Sequence, residues 1–252
     1  MQDLRITLVE TEQYWEDKSA NFNNYSRLLD GLSTDLVLLP EMFQTGFTMN
    51  AVELAEPFQH SESIEWLQQQ ATKLGAAIYT SLIIEDQGNY YNRGIFMFPD
   101  GTFQHYDKRK LFSLAGEDKH FNAGNKEVIV EYMGWKINLQ ICYDLRFPEN
   151  IRNRMEADGK PAYDLLLYVA NWPERRIAHW SALLPARAIE NQCFVAAVNR
   201  IGIDENGLEY NGCSEIINPY GSPLSMNSSH TAVIKDATLL EIRKKLPFLK
   251  DT

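Results

Sequence analysis

Cysteine is scarce in this chain. The three present, Cys142, Cys193 and Cys213, are odd in number, far apart and never in a CxxC pair. That spacing excludes a disulfide framework and a cysteine zinc site. HExxH is missing, as are GxGxxG and the phosphate-binding P-loop, so the usual zinc-hydrolase and nucleotide-binding signatures are absent. The five histidines, His60, His105, His120, His179 and His230, stand in no recognisable partner motif, which argues against a papain-type Cys–His hydrolase. Basic charge is short as well. With 24 Lys and Arg against 34 Asp and Glu, the formal net charge is −10, the wrong sign for a protein whose main partner is nucleic acid. No apolar run approaches membrane-spanning length, and the opening MQDLRITLVE is a short strand pattern rather than a signal peptide. No linker, low-complexity tract or solenoid-period repeat occurs. A reducing cytoplasm is the simplest compartment for such a chain, and there the sequons at Asn24 and Asn227 carry no meaning.

What remains is an ordinary globular composition, 44% hydrophobic and 23% charged over 252 residues, enough for a sizeable core in one domain spanning 1–252. LRITLVE alternates as a first strand. A helix is predicted from about Trp15 to Leu32. Leu36 to Leu39 is a continuous apolar run, the pattern of a strand buried on both faces. A second helix is predicted from about Ser61 to Leu74, closed by Gly75. Three β-runs follow, AAIYTSLIIE, YYNRGIFMF and TFQHYDK, joined by turns containing Gly-Asn and Asp-Gly. The segment from Arg109 to Lys126 is polar and irregular. WKINLQICYD reads as a strand and LRFPENIRNRMEADG as a helix. YDLLLYVAN is another buried strand. RRIAHWSALLPARAIENQ is a helix despite Pro185, CFVAAVNR a strand, GCSEIINPYGSPL a hairpin, HTAVIKD a strand and TLLEIRKKL a short helix. The fold class is α/β with mixed sheets, and the strands are too many for one small open sheet.

Three polar residues share an unusual position. Glu41 follows the buried strand LVLLP, Lys108 ends TFQHYD, and Cys142 ends INLQI. Each puts a reactive group at the mouth of a strand, where open α/β sheets keep their sites. A thiol facing the N-terminus of a helix has its pKa lowered. A carboxylate nearby can take the thiol proton and later activate water, and an ammonium can hold a tetrahedral oxyanion. Taken singly, Cys142 reads as a buried packing residue, Glu41 as a cap or salt bridge, and Lys108 in Lys108-Arg109-Lys110 as part of a solvated face. Only their joint placement at strand ends argues for chemistry. Cys193 starts an apolar strand and Cys213 lies in a hairpin strand, so both read as packing.

LLPEMF, YDKRKLF and ICYDLRFPE resemble the three signature blocks of the nitrilase, or carbon–nitrogen hydrolase, superfamily. The likeness extends through ANWPERRIAHWSALLPARAIENQ, VNRIGIDENGLEYNGCSEIINPYG and LEIRKKLPFLKD, and is nearest to the ω-amidase and 2-oxoglutaramate amidase branch. The resemblance implies a four-layer α-β-β-α sandwich that forms homodimers or larger homo-oligomers through its helices, and no metal or organic cofactor. It implies Glu41 as general base, Lys108 as oxyanion donor, Cys142 as nucleophile, the N–H of Tyr143 in the oxyanion hole and Glu117 as a second glutamate. Many relatives carry histidine two residues after the lysine, where this chain has Lys110. The implied substrate is a small linear amide. A nitrile, an N-carbamoyl compound, acyl transfer to another amine and a non-catalytic binding protein are the alternatives. Phe43, Phe47 and Trp172 follow strand ends and are expected to wall the pocket. Arg109, Lys110, Arg175 and Arg176 are the cations available to a substrate carboxylate, whereas Arg146, inside the cysteine block, reads as a structural pair.

Overall fold

The computed structural model describes residues 1–251. In chain order the strands are β1 (Leu4–Leu8), β2 (Leu36–Leu38), β3 (Glu56–Pro57), β4 (Ala77–Asp86), β5 (Asn89–Met97), β6 (Phe103–Asp107), β7 (Ile129–Tyr132), β8 (Trp135–Ile141), β9 (Leu165–Ala170), β10 (Phe194–Asn199), β11 (Ile201–Ile203), β12 (Glu209–Asn211), β13 (Glu215–Ile217) and β14 (Thr231–Ile234). One mixed sheet runs β14-β1-β2-β4-β5-β6, with β3 beside β4; a second runs β13-β10-β9-β8-β7. β11 and β12 form a separate hairpin. The α-helices are α1 (Lys18–Leu29), α2 (Ala51–Leu54), α3 (Glu62–Leu74), α4 (Glu117–His120), α5 (Ile177–Asn191) and α6 (Asp236–Lys245).

The two sheets pack face to face and the long helices cover their outer faces, giving the four-layer sandwich. The sequence pattern explains the layering. Leu36 and Leu38 of β2 join the core between the sheets. Val37, with Leu39 just beyond the strand, joins a second core under α1 and α3. A strand buried on both faces needs apolar residues at every position, which is why this run does not alternate. Tyr79 points inward and its hydroxyl donates to the Gln140 carbonyl of the opposite sheet at 3.0 Å. α5 closes the far side, with Trp180, Leu184 and Ala188 buried. Pro185 sits inside α5 without ending it.

Helix ends follow local chemistry. Ser61 caps α3 by accepting from the Ile64 N–H at 3.1 Å, and Gly75 ends it in the left-handed conformation at φ +64°. α1 is shorter than predicted. Asp17 caps it by accepting from the Ala20 N–H at 2.9 Å, which leaves Trp15 outside the helix.

Two expectations are overturned. LRFPENIRNRMEADG is not a helix: Cys142–Arg146 and Pro148–Asn150 are short 3₁₀ turns, and the rest is irregular. Pro148 disfavours the α region at the preceding residue, and Phe147 accordingly takes φ −118°, ψ 80°. Cys213 is not a packing residue. It is exposed, between β12 and β13, with φ +60°, whereas Cys193 is buried in the core. Among the described residues no helix is long and apolar enough to cross a membrane.

Candidate active site

β2, β4 and β6 run in one direction, as do β8, β9 and β10. The loops leaving their C-terminal ends meet at one edge of the sandwich. Beyond β2 the chain turns at Pro40-Glu41-Met42, with Met42 at φ +46°. Side chains hold this turn: Ser81 accepts the Met42 N–H at 3.0 Å, Thr80 donates to the Pro40 carbonyl at 2.8 Å, and Gln13 donates to the Glu41 carbonyl at 3.0 Å. Lys108 leaves β6 with its N–H on the Asn92 carbonyl and its own carbonyl accepting from Gly124. A Cβ at Gly124 would lie 2.2 Å from the Asp107 carbonyl oxygen. Only glycine therefore lets the 109–126 segment fold back against Lys108. Cys142 leaves β8 at φ +42°, a conformation that costs a residue with a Cβ about 1–2 kcal/mol and aims its side chain out of the strand.

Glu41, Lys108 and Glu117 are almost wholly buried. The Lys108 ammonium donates to Glu41 Oε1 at 2.8 Å and to both oxygens of Glu117 at 2.9 Å. Asn92 Nδ2 closes a ring by donating to Glu41 Oε1 at 2.8 Å and Glu117 Oε1 at 3.0 Å. Glu41 Oε2 accepts the Asn171 N–H at 3.0 Å, and Glu117 Oε2 accepts the Phe112 N–H at 2.6 Å. Burial works against the lysine charge, but the carboxylates of Glu117 and Glu41 outweigh it and raise the Lys108 pKa. The ammonium is fixed in its charged form. Cys142 lies beside this ring, its Sγ 3.9 Å from the Asn171 carbonyl oxygen.

The thiol differs from the sequence-based expectation. Burial first, and then the negative charge of Glu41, push Cys142 well above the usual cysteine range, while Lys108 offsets only part of that. A five-residue 3₁₀ turn follows the cysteine in place of an α-helix, so the helix field invoked to lower its pKa is missing. The resting group is a neutral thiol with a buried carboxylate next to it.

A cavity of about 460 Å³ opens above Lys108, Cys142 and Asn171. Phe47, Met49, Phe112, Tyr143 and Trp172 form its walls, and Arg146, Arg175 and Arg176 reach its rim. The profile of the carbon–nitrogen hydrolase family matches residues 5–241. The chain belongs to that family. The hydrolase is 42% identical over 257 residues to the omega-amidase YafV of Escherichia coli strain K12, covering 100% of this chain and 97% of the relative. It is 35% identical over 224 residues to the 2-oxoglutaramate amidase of Bacillus subtilis, covering 86% and 84%. A crystal structure of a superfamily protein from Xanthomonas campestris, which carries an arsenic adduct in its active site, superposes with a TM-score of 0.95 at 43% identity and covers 100% of this chain and 98% of that one. A carbon–nitrogen hydrolase from Helicobacter pylori, 20% identical, shares the fold over 100% of this chain and 95% of its own at a TM-score of 0.87.

The hydrolase fold thus brings together Glu41, Lys108, Glu117 and Cys142, with Tyr143, Phe47, Trp172, Arg175 and Arg176 around the cavity. Phe43 is a correction. It packs in the outer core against Phe22, Tyr25 and Trp66, because the left-handed Met42 turns the chain between Glu41 and Phe43. Arg109 and Lys110 also stand apart from the cavity. Arg109 donates to the Asn150 carbonyl at 2.7 Å, and Lys110 lies over Phe147 and 3.9 Å from Glu149. Arg146, read as a structural pair, instead lines the cavity, with its guanidinium 4.6 Å over Trp172 and 3.0 Å from His179 Nδ1. Asn92 and Asn171 escaped sequence reasoning because neither falls in a reactive-residue pattern. The one available signal for Asn171 was its place directly after a buried strand.

Proposed function

We propose that the protein hydrolyses the terminal carboxamide of a small linear substrate to a carboxylate and ammonia, with a second, carboxylate end of the substrate seated on the arginine rim. The observation that carries this reading is the Cys142 thiol, the buried Glu41 carboxylate and the Lys108 ammonium together at the closed end of a cavity whose open end is cationic. Cys142 Sγ attacks the amide carbonyl carbon while Glu41 takes the thiol proton. Because the thiol rests protonated, bond formation and proton transfer go together. The oxyanion is held by the Tyr143 N–H and by Lys108. All three ammonium hydrogens are engaged at rest, but two serve the same carboxylate, so one can turn to the substrate without releasing Glu117. Glu41 then protonates the departing nitrogen, and ammonia leaves a thioester on Cys142. A water loses its proton to Glu41 and adds to the thioester carbonyl. Collapse releases the acid, and the sulfur recovers its proton from Glu41.

The amide end and the far end are recognised by different means. Arg176 lies 5.0 Å over Phe112. Burial first, then the positive charges of Arg175 and Arg146, lower its pKa. None of these three arginines forms an ion pair with a carboxylate among the described residues. An incoming carboxylate would relieve their mutual repulsion, and Arg can bind it through two parallel N–H bonds. Asp204 lines the same cavity but is spent internally, accepting from the N–H groups of Asn206 and Leu208 and from the Tyr210 hydroxyl, each at 2.9 Å. The names of the bacterial ω-amidase and 2-oxoglutaramate amidase relatives agree with an ω-amide of an α-keto dicarboxylate. The deciding measurement compares kcat/KM for 2-oxoglutaramate and butyramide by ammonia release. A preference for the carboxylate-bearing amide above about tenfold, or 1.4 kcal/mol, is expected. A smaller one removes the carboxylate end from the reading, and no ammonia from any small amide removes the amidase.

A further inference from the structure

Asp144, two residues past the nucleophile, has no part in the chemistry above, yet it is fully buried beneath it. Its Oδ2 accepts the Ile141 N–H at 3.0 Å and the Tyr106 hydroxyl at 2.8 Å, and its Oδ1 accepts the Lys110 N–H at 3.0 Å. These donors are not neighbours in the fold. Ile141 is the residue before Cys142 at the end of β8, in one sheet. Tyr106 and Lys110 flank Lys108 by two residues on either side, at the end of β6 in the other sheet. One carboxylate therefore bridges the two sheets at the point where each delivers a reactive side chain. Arg109 strengthens the bridge: its Nε donates to the Tyr106 hydroxyl at 3.3 Å and a terminal nitrogen to the Asn150 carbonyl beyond the elbow at 2.7 Å. Cys142 needs such a restraint, because its φ of +42° is one that a residue with a Cβ leaves when free to do so.

We propose that Asp144 is a positioning residue, whose ionised carboxylate locks the strand end bearing Cys142 to the strand end bearing Lys108 and so sets the nucleophile against its oxyanion donor. The proposal rests on the amidase reading for its turnover measurements, but its geometry does not depend on which amide is cleaved. Three acceptor positions facing three donors suit a carboxylate and no neutral isostere. An amide in its place turns an N–H toward a donor, and a protonated acid does the same with its O–H.

The bridge is pH-dependent. Burial pushes Asp144 up to about 6, against the pull of the Ile141 N–H, the Lys108 charge, the Tyr106 hydroxyl and the Lys110 N–H. The phenols of Tyr79 on β4, Tyr106 on β6 and Tyr168 on β9 also interact with it, the Arg109 guanidinium reaches it through the Tyr106 hydroxyl, and the Cys142 thiol stands two residues before it. Burial raises all three phenols well above the usual phenol range, so they stay neutral, and the Lys108 charge favours the ionised form of Asp144. The bridge is therefore held by a carboxylate above about pH 6 and weakens as the acid form gains below it, so an acid limb on kcat is expected in that region.

The test measures kcat and KM across the pH range for wild type, Asp144→Asn and Tyr106→Phe, together with the rate at which iodoacetamide alkylates Cys142. Asp144→Asn is expected to lose on the order of a hundredfold in kcat with KM changed little, the scale of a misplaced reacting group, and to lose the acid limb. Tyr106→Phe removes one donor to the carboxylate, so the limb moves to higher pH and kcat falls about tenfold. A purely structural role would lower the melting temperature and leave the limb where it was. An unmoved limb in Tyr106→Phe overturns the proposal even if Asp144→Asn fails to fold. Alkylation needs no turnover: it should slow about tenfold or more in Asp144→Asn, the size of one lost charged hydrogen bond. An unchanged rate would overturn the bridge, whereas a wild type inert toward every amide would overturn the amidase reading alone.

Discussion

The closed and open ends of the cavity handle charge in opposite ways. At the closed end Glu41, Lys108 and Glu117 are buried, and their hydrogen bonds are made to one another, to Asn92 and to backbone N–H groups. At the open end Arg146, Arg175 and Arg176 are half-buried or exposed, Arg146 and Arg176 lie over aromatic rings, and none of the three forms an ion pair with a carboxylate of the described residues. The closed end is already organised for a charge that appears only during reaction, so little reorganisation is needed when the oxyanion forms. In the proposed reading, the open end holds charges whose counter-ion arrives with the substrate. Removing one of the buried charges at the first should damage both fold and turnover, and substitutions at the second only recognition.

The largest effect is expected at Cys142. Cys142→Ala should fold normally and lose about four orders of magnitude or more in turnover, as removal of a nucleophile does; ammonia release retained at a tenth of wild type would disprove its role.

Next come the two helpers. Glu41→Gln and Lys108→Met should each lower kcat about a hundredfold or more, measured on the same amide. Lys108→Met should also cost about 3–5 kcal/mol of stability, because it leaves two buried carboxylates with no cation. Denaturant unfolding of Lys108→Met with Glu117→Gln added should recover part of that loss; no recovery would mean that the ring is not an electrostatic unit. Lys110→Met serves as the control and should change kcat less than about threefold, as a surface substitution.

At the open end, Arg146→Gln and Arg176→Gln should each lower kcat/KM for a carboxylate-bearing amide by about tenfold, the loss of one charged hydrogen-bonded contact. Butyramide turnover should stay the same, and so should stability to within about 0.5 kcal/mol. Equal losses on both substrates would erase the distinction between the two ends.

The smallest functional effect belongs to Phe43. Phe43→Leu should destabilise by about 1 kcal/mol as a core substitution and leave KM unchanged; a shift in KM would return Phe43 to the pocket wall.

Much of this arrangement was legible beforehand because it depends on local pattern. A run such as Leu36–Leu39 has to be buried on both faces, and such strands end where polar residues begin, which marks Glu41 and Cys142. Lys108 follows an alternating run for the same reason. The helix expected after Cys142 failed on a local rule, the residue before Pro148. Arg146 was misread because a cation inside a signature block looks structural until the cavity beside it is seen.

The tertiary structure decided everything that depends on neighbours distant in the chain. The direction of Phe43 turns on the backbone of Met42, itself held by Ser81 from β4. Asn92 becomes part of the site only because β5 carries it between two glutamates 51 and 25 residues away. The protonation state of Cys142 is the clearest case. From sequence a thiol at a strand end looks activated; in the fold, burial and Glu41 keep it neutral, because desolvation and Coulomb energy depend on the whole surroundings of a group and not on the residues beside it in the chain.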